Sequence, residues 1–152
     1  FRKGVLSSLK KRFPKIGPII KEMGKEISGS LYQSLPKSLM KELESLRNEG
    51  DKKKILESFE DIYPNFDLFQ DSYEIHAVEI DEEKQKAVYR FKHSEFIGVT
   101  DDFSYYFHAM CGVLEGFARD QLDTAITCQV KNMHVEPDDE KESYVDISLQ
   151  FN

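Results

Sequence analysis

The stretch from Thr100 to Leu122 constrains the fold most strongly. Its apolar side chains recur at spacings of three and four residues, the period of an α-helix with one buried face: Phe103, Phe107, Met110, Leu114 and Phe117. Gly112 and Gly116 lie one turn apart on a neighbouring face. A glycine inside a helix costs roughly 1 kcal/mol relative to alanine. We therefore expect this helix to lie across a sheet and to present its glycines to a backbone or a ligand.

Helices are also predicted in the first 63 residues. Residues 16–31 carry one apolar stripe at helical spacing: Ile16, Ile19, Ile20, Met23, Ile27 and Leu31. Residues 34–50 form the next helix, with Gly50 as its C-terminal stop. Asp51 opens a further helix that Pro64 ends. Residues 2–12 read as a short basic helix, which is either a solvated face or a contact for an anionic membrane or partner surface.

The hydrophobic period changes to two after residue 70, which is typical of strands. Residues 73–77 and 87–91 alternate around a charged turn and predict a β-hairpin. Residues 126–131 and 144–151 form a second pair after the glycine-containing helix. Helices, hairpin, helix and hairpin in this order predict an α+β fold with a four-stranded antiparallel sheet packed by helices. We expect one domain over residues 1–152, with a helical part at 1–63 and the sheet and central helix at 70–152.

The overall charge argues against one class of function. The chain of 152 residues has a formal net charge of −7, whereas a general nucleic-acid binder needs a basic face. No apolar run approaches the ~18 residues of a membrane span. The two cysteines are predicted to be reduced thiols in a cytoplasmic protein.

Catalytic motifs are missing from the sequence. It has no phosphate-binding glycine loop, no dinucleotide-binding glycine pattern, no paired-histidine zinc motif and no nucleophile elbow. An enzymatic role is therefore the least favoured of three hypotheses, behind ligand sensing and assembly.

One group of residues has the chemistry of a metal site. His108 and Cys111 are three residues apart on the predicted helix, and Cys128 on the following strand is in a position to close the site. The alternative is that both cysteines simply fill the core. Glu115 lies in the same helix, and because the apolar stripe runs elsewhere we expect its side chain on the outer face.

Aromatic residues are concentrated around the predicted central helix. Such side chains either fill a core or line an apolar pocket. In the pocket interpretation, the candidate ligand-binding residues are Phe91, Phe103, Tyr106, Phe107, His108, Met110, Leu114 and Phe117. Tyr106 or His108 would provide the polar contact.

Several short segments resemble one known family, the 4-vinyl-reductase-like (hydrocarbon-binding) domain. They are residues 88–91, 96–98 and 111–118, the strand near Cys128 and the last strand to Phe151. The resemblance covers roughly residues 50–152. The family belongs to a superfamily with haem nitric-oxide-binding domains and Golgi transport-particle subunits.

The resemblance implies different roles in its different branches. Vinyl-reductase-like members bind small hydrophobic molecules in an internal pocket, and some hold zinc through cysteines, one of which Cys128 would match. The sequence has Tyr144-Val145-Asp146 where a second cysteine is common. The haem branch resembles the chain at residues 62–64 and at Tyr89-x-Phe91-x-His93, although the serine and arginine that hold haem propionates are replaced. The Golgi branch has a similar Cys-Gly-Val-Leu helix and a role in assembly.

These observations predict a sensory domain that binds a small hydrophobic ligand in an internal apolar pocket. Zinc and haem are less favoured than an apolar molecule. The alternative is a homo- or hetero-oligomeric adaptor of the same fold, or a haem-based gas sensor. The partners to expect are the ligand and a second copy or a signalling protein.

Overall fold

A computed structural model describes residues 17–33, 35–62, 74–92, 104–136 and 142–152. The helices are α1 (Gly17–Tyr32), α2 (Lys37–Glu49), α3 (Lys52–Ile62) and α4 (Ser104–Gln121). The strands are β1 (Glu74–Asp81), β2 (Lys86–Lys92), β3 (Ile126–His134) and β4 (Tyr144–Phe151). The predicted α+β class is confirmed. The basic segment 2–12 and the predicted N-terminal end of the central helix lie outside the described residues.

Local sequence signals set the helix ends. The Asp51 side chain accepts a hydrogen bond from the Lys54 backbone N–H at 3.2 Å, which caps α3. Gly50 adopts a left-handed conformation with φ of 70° and donates its N–H to the Leu46 carbonyl at 2.9 Å. Only glycine adopts this conformation without steric cost, so the predicted stop at Gly50 is confirmed.

The four strands form one antiparallel sheet in the order β1-β2-β4-β3. Alternate residues of β2 and β4 point to the helical side, as the period of two predicts. Tyr89 donates a hydrogen bond to the Leu56 carbonyl of α3, and the Phe91 ring lies 6.2 Å from the Phe107 ring of α4. Helices α3 and α4 therefore cover the same face of the sheet and bury the core with it.

Helix α1 occupies a separate layer. It packs mainly against α4, on the side of α4 that faces away from the sheet. The molecule thus has α4 enclosed between the sheet and α1, while the far side of α1 has no covering element among the described residues.

Candidate functional site

The far side of α1 carries a row of exposed apolar side chains, which we call the outer stripe. It consists of Ile19, Met23 and Ile27, whose exposed fractions are 58%, 55% and 47%. Their spacing of four residues places them on one helical face. The other large exposed hydrophobic residues of the described chain, Val78 and Val135, stand apart from it in sequence. A contiguous exposed apolar surface of this kind marks an interaction site more often than a single exposed residue does.

The orientation of α1 follows from its glycines. A Cβ atom on Gly24 would lie 2.2 Å from the Ala109 carbonyl oxygen, and one on Gly112 would lie 1.8 Å from the Lys21 carbonyl oxygen. Both separations are far below van der Waals contact distance. The backbones of α1 and α4 can therefore approach each other this closely only because the residues at the two positions are glycines. Gly112 and Gly116 were predicted to meet a backbone or a ligand, and both meet the backbone of α1, since Gly116 faces the Lys25 carbonyl.

An ion cluster fixes the same contact. Glu115 of α4 is only 8% exposed, and its carboxylate lies 2.5 Å from Lys21 Nζ and 3.3 Å from Lys25 Nζ. The carboxylate also accepts the backbone N–H of Cys128 at 3.1 Å. The expectation that Glu115 lies on the outer face is therefore wrong. Its side chain points between α1 and β3, because two lysines and an N–H there satisfy a buried charge.

Apolar and aromatic side chains also take part in the contact between α1 and α4. Ile20 packs with Tyr105 and Ala109, and the ring of Tyr32 lies 6.0 Å from that of Phe117. Because glycines, lysines and Ile20 face α4, the rest of the predicted stripe of residues 16–31 is turned outward wherever its side chains are described.

His108 belongs to the α1 contact as well. A Cβ on Gly17 would lie 3.5 Å from the His108 ring. Burial and the nearby Lys21 charge lower the pKa of His108. Its imidazole is therefore neutral over a wider pH range than that of a free histidine.

The predicted ligand-binding residues lie mainly in the core. Six of them are buried in one core cluster that α4 and the sheet form together with α2 and α3: Phe91, Tyr106, Phe107, Met110, Leu114 and Phe117. His108 lies on the α1 side instead, and Phe103 is outside the described residues. A groove of about 280 Å³ is present elsewhere, between the start of α3 and the β1–β2 turn, where Leu56 and Ile80 are among its lining residues.

The three predicted metal ligands are divided between two places. Cys111 and Cys128 are completely buried, and their thiols interact across the α4–β3 contact. Burial and, secondarily, the neighbouring Cys111 thiol raise the pKa of Cys128. His108 contacts α1. In the described part of the chain, no cluster of three or more histidine, cysteine, aspartate or glutamate side chains has an arrangement suited to a metal ion.

Both edges of the sheet are interrupted by irregular pairing. The register shifts between Ala77 and Glu79 in β1, and between Val130 and Asn132 in β3. Irregularities of this kind, here at Val78 and Lys131, make it less favourable for an edge strand to pair with another chain. The described surface thus offers the α1 face more readily than a sheet edge for contact with a protein.

Sequence reasoning missed Lys21 and Lys25 as partners of Glu115. Their spacing of one helical turn matches a single carboxylate on a facing helix, but the sequence does not show which helices face each other. The sequence also does not show whether the outer stripe is buried or exposed. The signal available was the row Gly17, Gly24 and Ser28, a small-residue face on the same helix that allows close packing.

The comparisons with known proteins bear on the fold. No family model matches the sequence, and no match was found among curated proteins. A similar solved structure is that of trafficking protein particle complex subunit 3 from Naegleria fowleri, covalently bound to palmitic acid. The identity is 14%, the TM-score is 0.62, and the match covers 99% of this chain and 90% of that chain.

The chain has the fold of this trafficking-complex subunit. A likeness at this identity establishes the fold alone. It agrees with the part of the predicted resemblance that named Golgi transport-particle subunits, whereas the 4-vinyl-reductase-like assignment stays a prediction. None of the described helices has the length and apolar character that crossing a membrane requires.

Proposed function

We propose that this chain is an assembly module that joins a protein complex through the outer stripe of α1. The observation that carries the proposal is the alignment of Ile19, Met23 and Ile27, each about half exposed, along one face of a helix. Covering each of these side chains in an interface would contribute about 1 kcal/mol, since each is already half buried.

The fold supports the same proposal. The similar trafficking protein particle complex subunit 3 is by its name a component of a complex. The sheet edges of the present chain are interrupted by bulges, which leaves the helical side as the natural contact surface. The rigid attachment of α1 to α4 also presents the stripe in one fixed orientation, which lowers the entropy cost of association.

The test compares two variants in the assembled state. Three tagged forms of the chain are compared: the unaltered chain, Ile19→Glu/Met23→Glu, and Val78→Glu. Each form is purified from the cells that naturally produce the protein, and its complexes are weighed by native mass spectrometry. Val78 is half exposed at the β1 bulge and serves as the matched control. We expect the unaltered chain and the control to retain a partner subunit and the α1 variant to lose it. Equal retention by all three would contradict the proposal.

Ligand binding is the second candidate function. It is favoured by the aromatic-rich core and by the palmitic acid of the similar structure. In this chain, however, the cysteines are Cys111 and Cys128, both completely buried. A covalent acyl group on either thiol would require the α4–β3 contact to open. Native mass spectrometry under gentle and then denaturing conditions tests the candidate, because a bound apolar molecule adds a mass that denaturation releases.

A further inference from the structure

The outer stripe has an acidic border. Glu22 and Glu26 are both exposed, and each is three residues after a member of the stripe, so they lie beside Ile19 and Met23. Lys21 and Lys25, which would otherwise balance them, are turned toward Glu115. Lys25 also forms an exposed ion pair of small energy with Glu22 at 3.5 Å, and Arg119 of α4, which pairs with Asp120, is near enough to interact with the Glu22 charge. The border therefore presents negative charge next to an apolar surface.

This border disfavours an anionic lipid surface as the occupant. Helices that lie on such membranes combine an apolar face with lysine or arginine at its sides, because those cations are attracted to anionic lipids. Within the described part of α1, the exposed charged residues identified beside the stripe, Glu22 and Glu26, have the opposite charge, and the whole chain carries a formal charge of −7.

An antiparallel pairing of α1 with that of a second copy is disfavoured for a related reason. In a two-fold symmetric contact the same patch meets itself. Pairing two α1 helices in antiparallel orientation would bring Glu22 and Glu26 of one copy beside those of the other. Like charges at a partly desolvated border cost energy, and the net charge of both copies adds to the repulsion.

We infer that the outer stripe binds a helix of a different protein whose apolar face is bordered by lysine or arginine. The apolar side chains would cover Ile19, Met23 and Ile27, and the basic side chains would pair with Glu22 and Glu26. The inference rests on the proposed assembly function and adds the chemistry of the partner. It predicts heteromeric rather than homomeric assembly.

Two designed helical peptides test the inference on the full chain. Both have the same leucine face, and they differ only in having lysine or glutamate beside it. Fluorescence anisotropy is measured at low and high salt for the unaltered chain, for Glu22→Gln/Glu26→Gln, and for Glu42→Gln/Glu44→Gln as a control on the exposed side of α2. We expect the lysine peptide to bind about tenfold more tightly at low salt, with the preference reduced at high salt because exposed charges are screened.

The variants show which side chains determine the charge preference and which determine binding itself. The preference should disappear in Glu22→Gln/Glu26→Gln and persist in the α2 control, while both peptides lose affinity for Ile19→Glu/Met23→Glu. Equal binding of the two peptides would overturn the inference but leave the assembly function standing. So would a homodimer of the unaltered chain, measured by sedimentation, that Ile19→Glu/Met23→Glu dissociates. If neither peptide binds, the inference is overturned, and the proposed function is then judged by the co-purification experiment alone.

Discussion

The two faces of α4 are held in different ways. Toward the sheet, the helix buries bulky side chains such as Phe107 and Met110, both completely inaccessible. Toward α1, it presents Gly112, Gly116 and the carboxylate of Glu115. The sheet contact gains stability from the apolar area it removes from water. The α1 contact uses close backbone approach and one ion cluster, so most of the described apolar side chains of α1 remain available on its other face.

Truncating a side chain on the side of α4 that faces the sheet should have the largest effect on stability. Phe107→Ala removes a completely buried ring that lies beside Phe91 and Tyr106. We expect a loss of about 4 kcal/mol in the free energy of unfolding. Denaturant titration measures it, and hydrogen exchange should accelerate in β2 and β4 as well as in the helices. An effect confined to α1 would show that the two faces of α4 do not differ as described.

Crowding the contact between α4 and α1 should have a more local effect. Gly112→Ala places a Cβ 1.8 Å from the Lys21 carbonyl oxygen, so α1 must move away. We expect a cost of about 3 kcal/mol and faster hydrogen exchange in α1 than in β2 and β4. Gly29→Ala is the matched control, because nothing lies within 4 Å of its added Cβ. That variant should gain roughly 0.5–1 kcal/mol from helix propensity, and a comparable loss in both variants would argue against backbone contact.

Removing the buried carboxylate should cost somewhat less. Glu115→Ala removes the buried partner of Lys21 and Lys25, leaves Lys25 only its exposed pair with Glu22, and leaves the Cys128 N–H without that acceptor. Because both lysines keep some access to water, we expect about 2–3 kcal/mol rather than the full penalty of a buried unpaired charge. Thermal unfolding of this variant is compared with Glu42→Ala, an exposed position that should change stability by less than about 0.5 kcal/mol. Equal effects would place Glu115 outside the cluster.

The smallest expected effect depends on pH. The pKa of His108 is lowered in the folded protein, so the folded state prefers the neutral imidazole. The stabilisation is fully present above the unfolded pKa of about 6.5 and is lost as the pH falls through the lower folded value. Hydrogen-exchange protection in α1, taken relative to the intrinsic exchange rate at each pH, should therefore fall below pH ~6.5, and less so in His108→Asn. An unchanged acid response in this variant would remove His108 from the α1 contact.

Much of the fold was predictable from the sequence because periodicity records burial. The alternation in residues 144–151 and the stop at Gly50 correspond to β4 and to the end of α2. The glycines of α4 correctly indicated a close approach. These signals are local, since each depends on residues within one or two turns or on a single strand.

The candidate site was less predictable because it depends on which elements face each other. The stripe of residues 16–31 is the same whether α1 buries it or exposes it, and the glycines that decide its orientation lie on two helices about 90 residues apart. Glu115 was misplaced for the same reason, since its partners Lys21 and Lys25 come from the other helix. The aromatic residues near α4 were correctly identified as bulky and apolar, but this property does not distinguish a core from a pocket.

Methionine oxidation shows directly whether the outer stripe is covered in a complex, because the chain has one methionine in the stripe and another in the core. Met23 is 55% exposed in the outer stripe, whereas Met110 is completely buried in the core. The free chain and the complex purified from its natural source are treated briefly with peroxide, and each sulfoxide is measured by peptide mass spectrometry. We expect Met23 to oxidise rapidly in the free chain and to be protected in the complex, while Met110 stays reduced in both. Equal oxidation of Met23 in the free chain and in the complex would contradict the assignment of the outer stripe as the assembly surface.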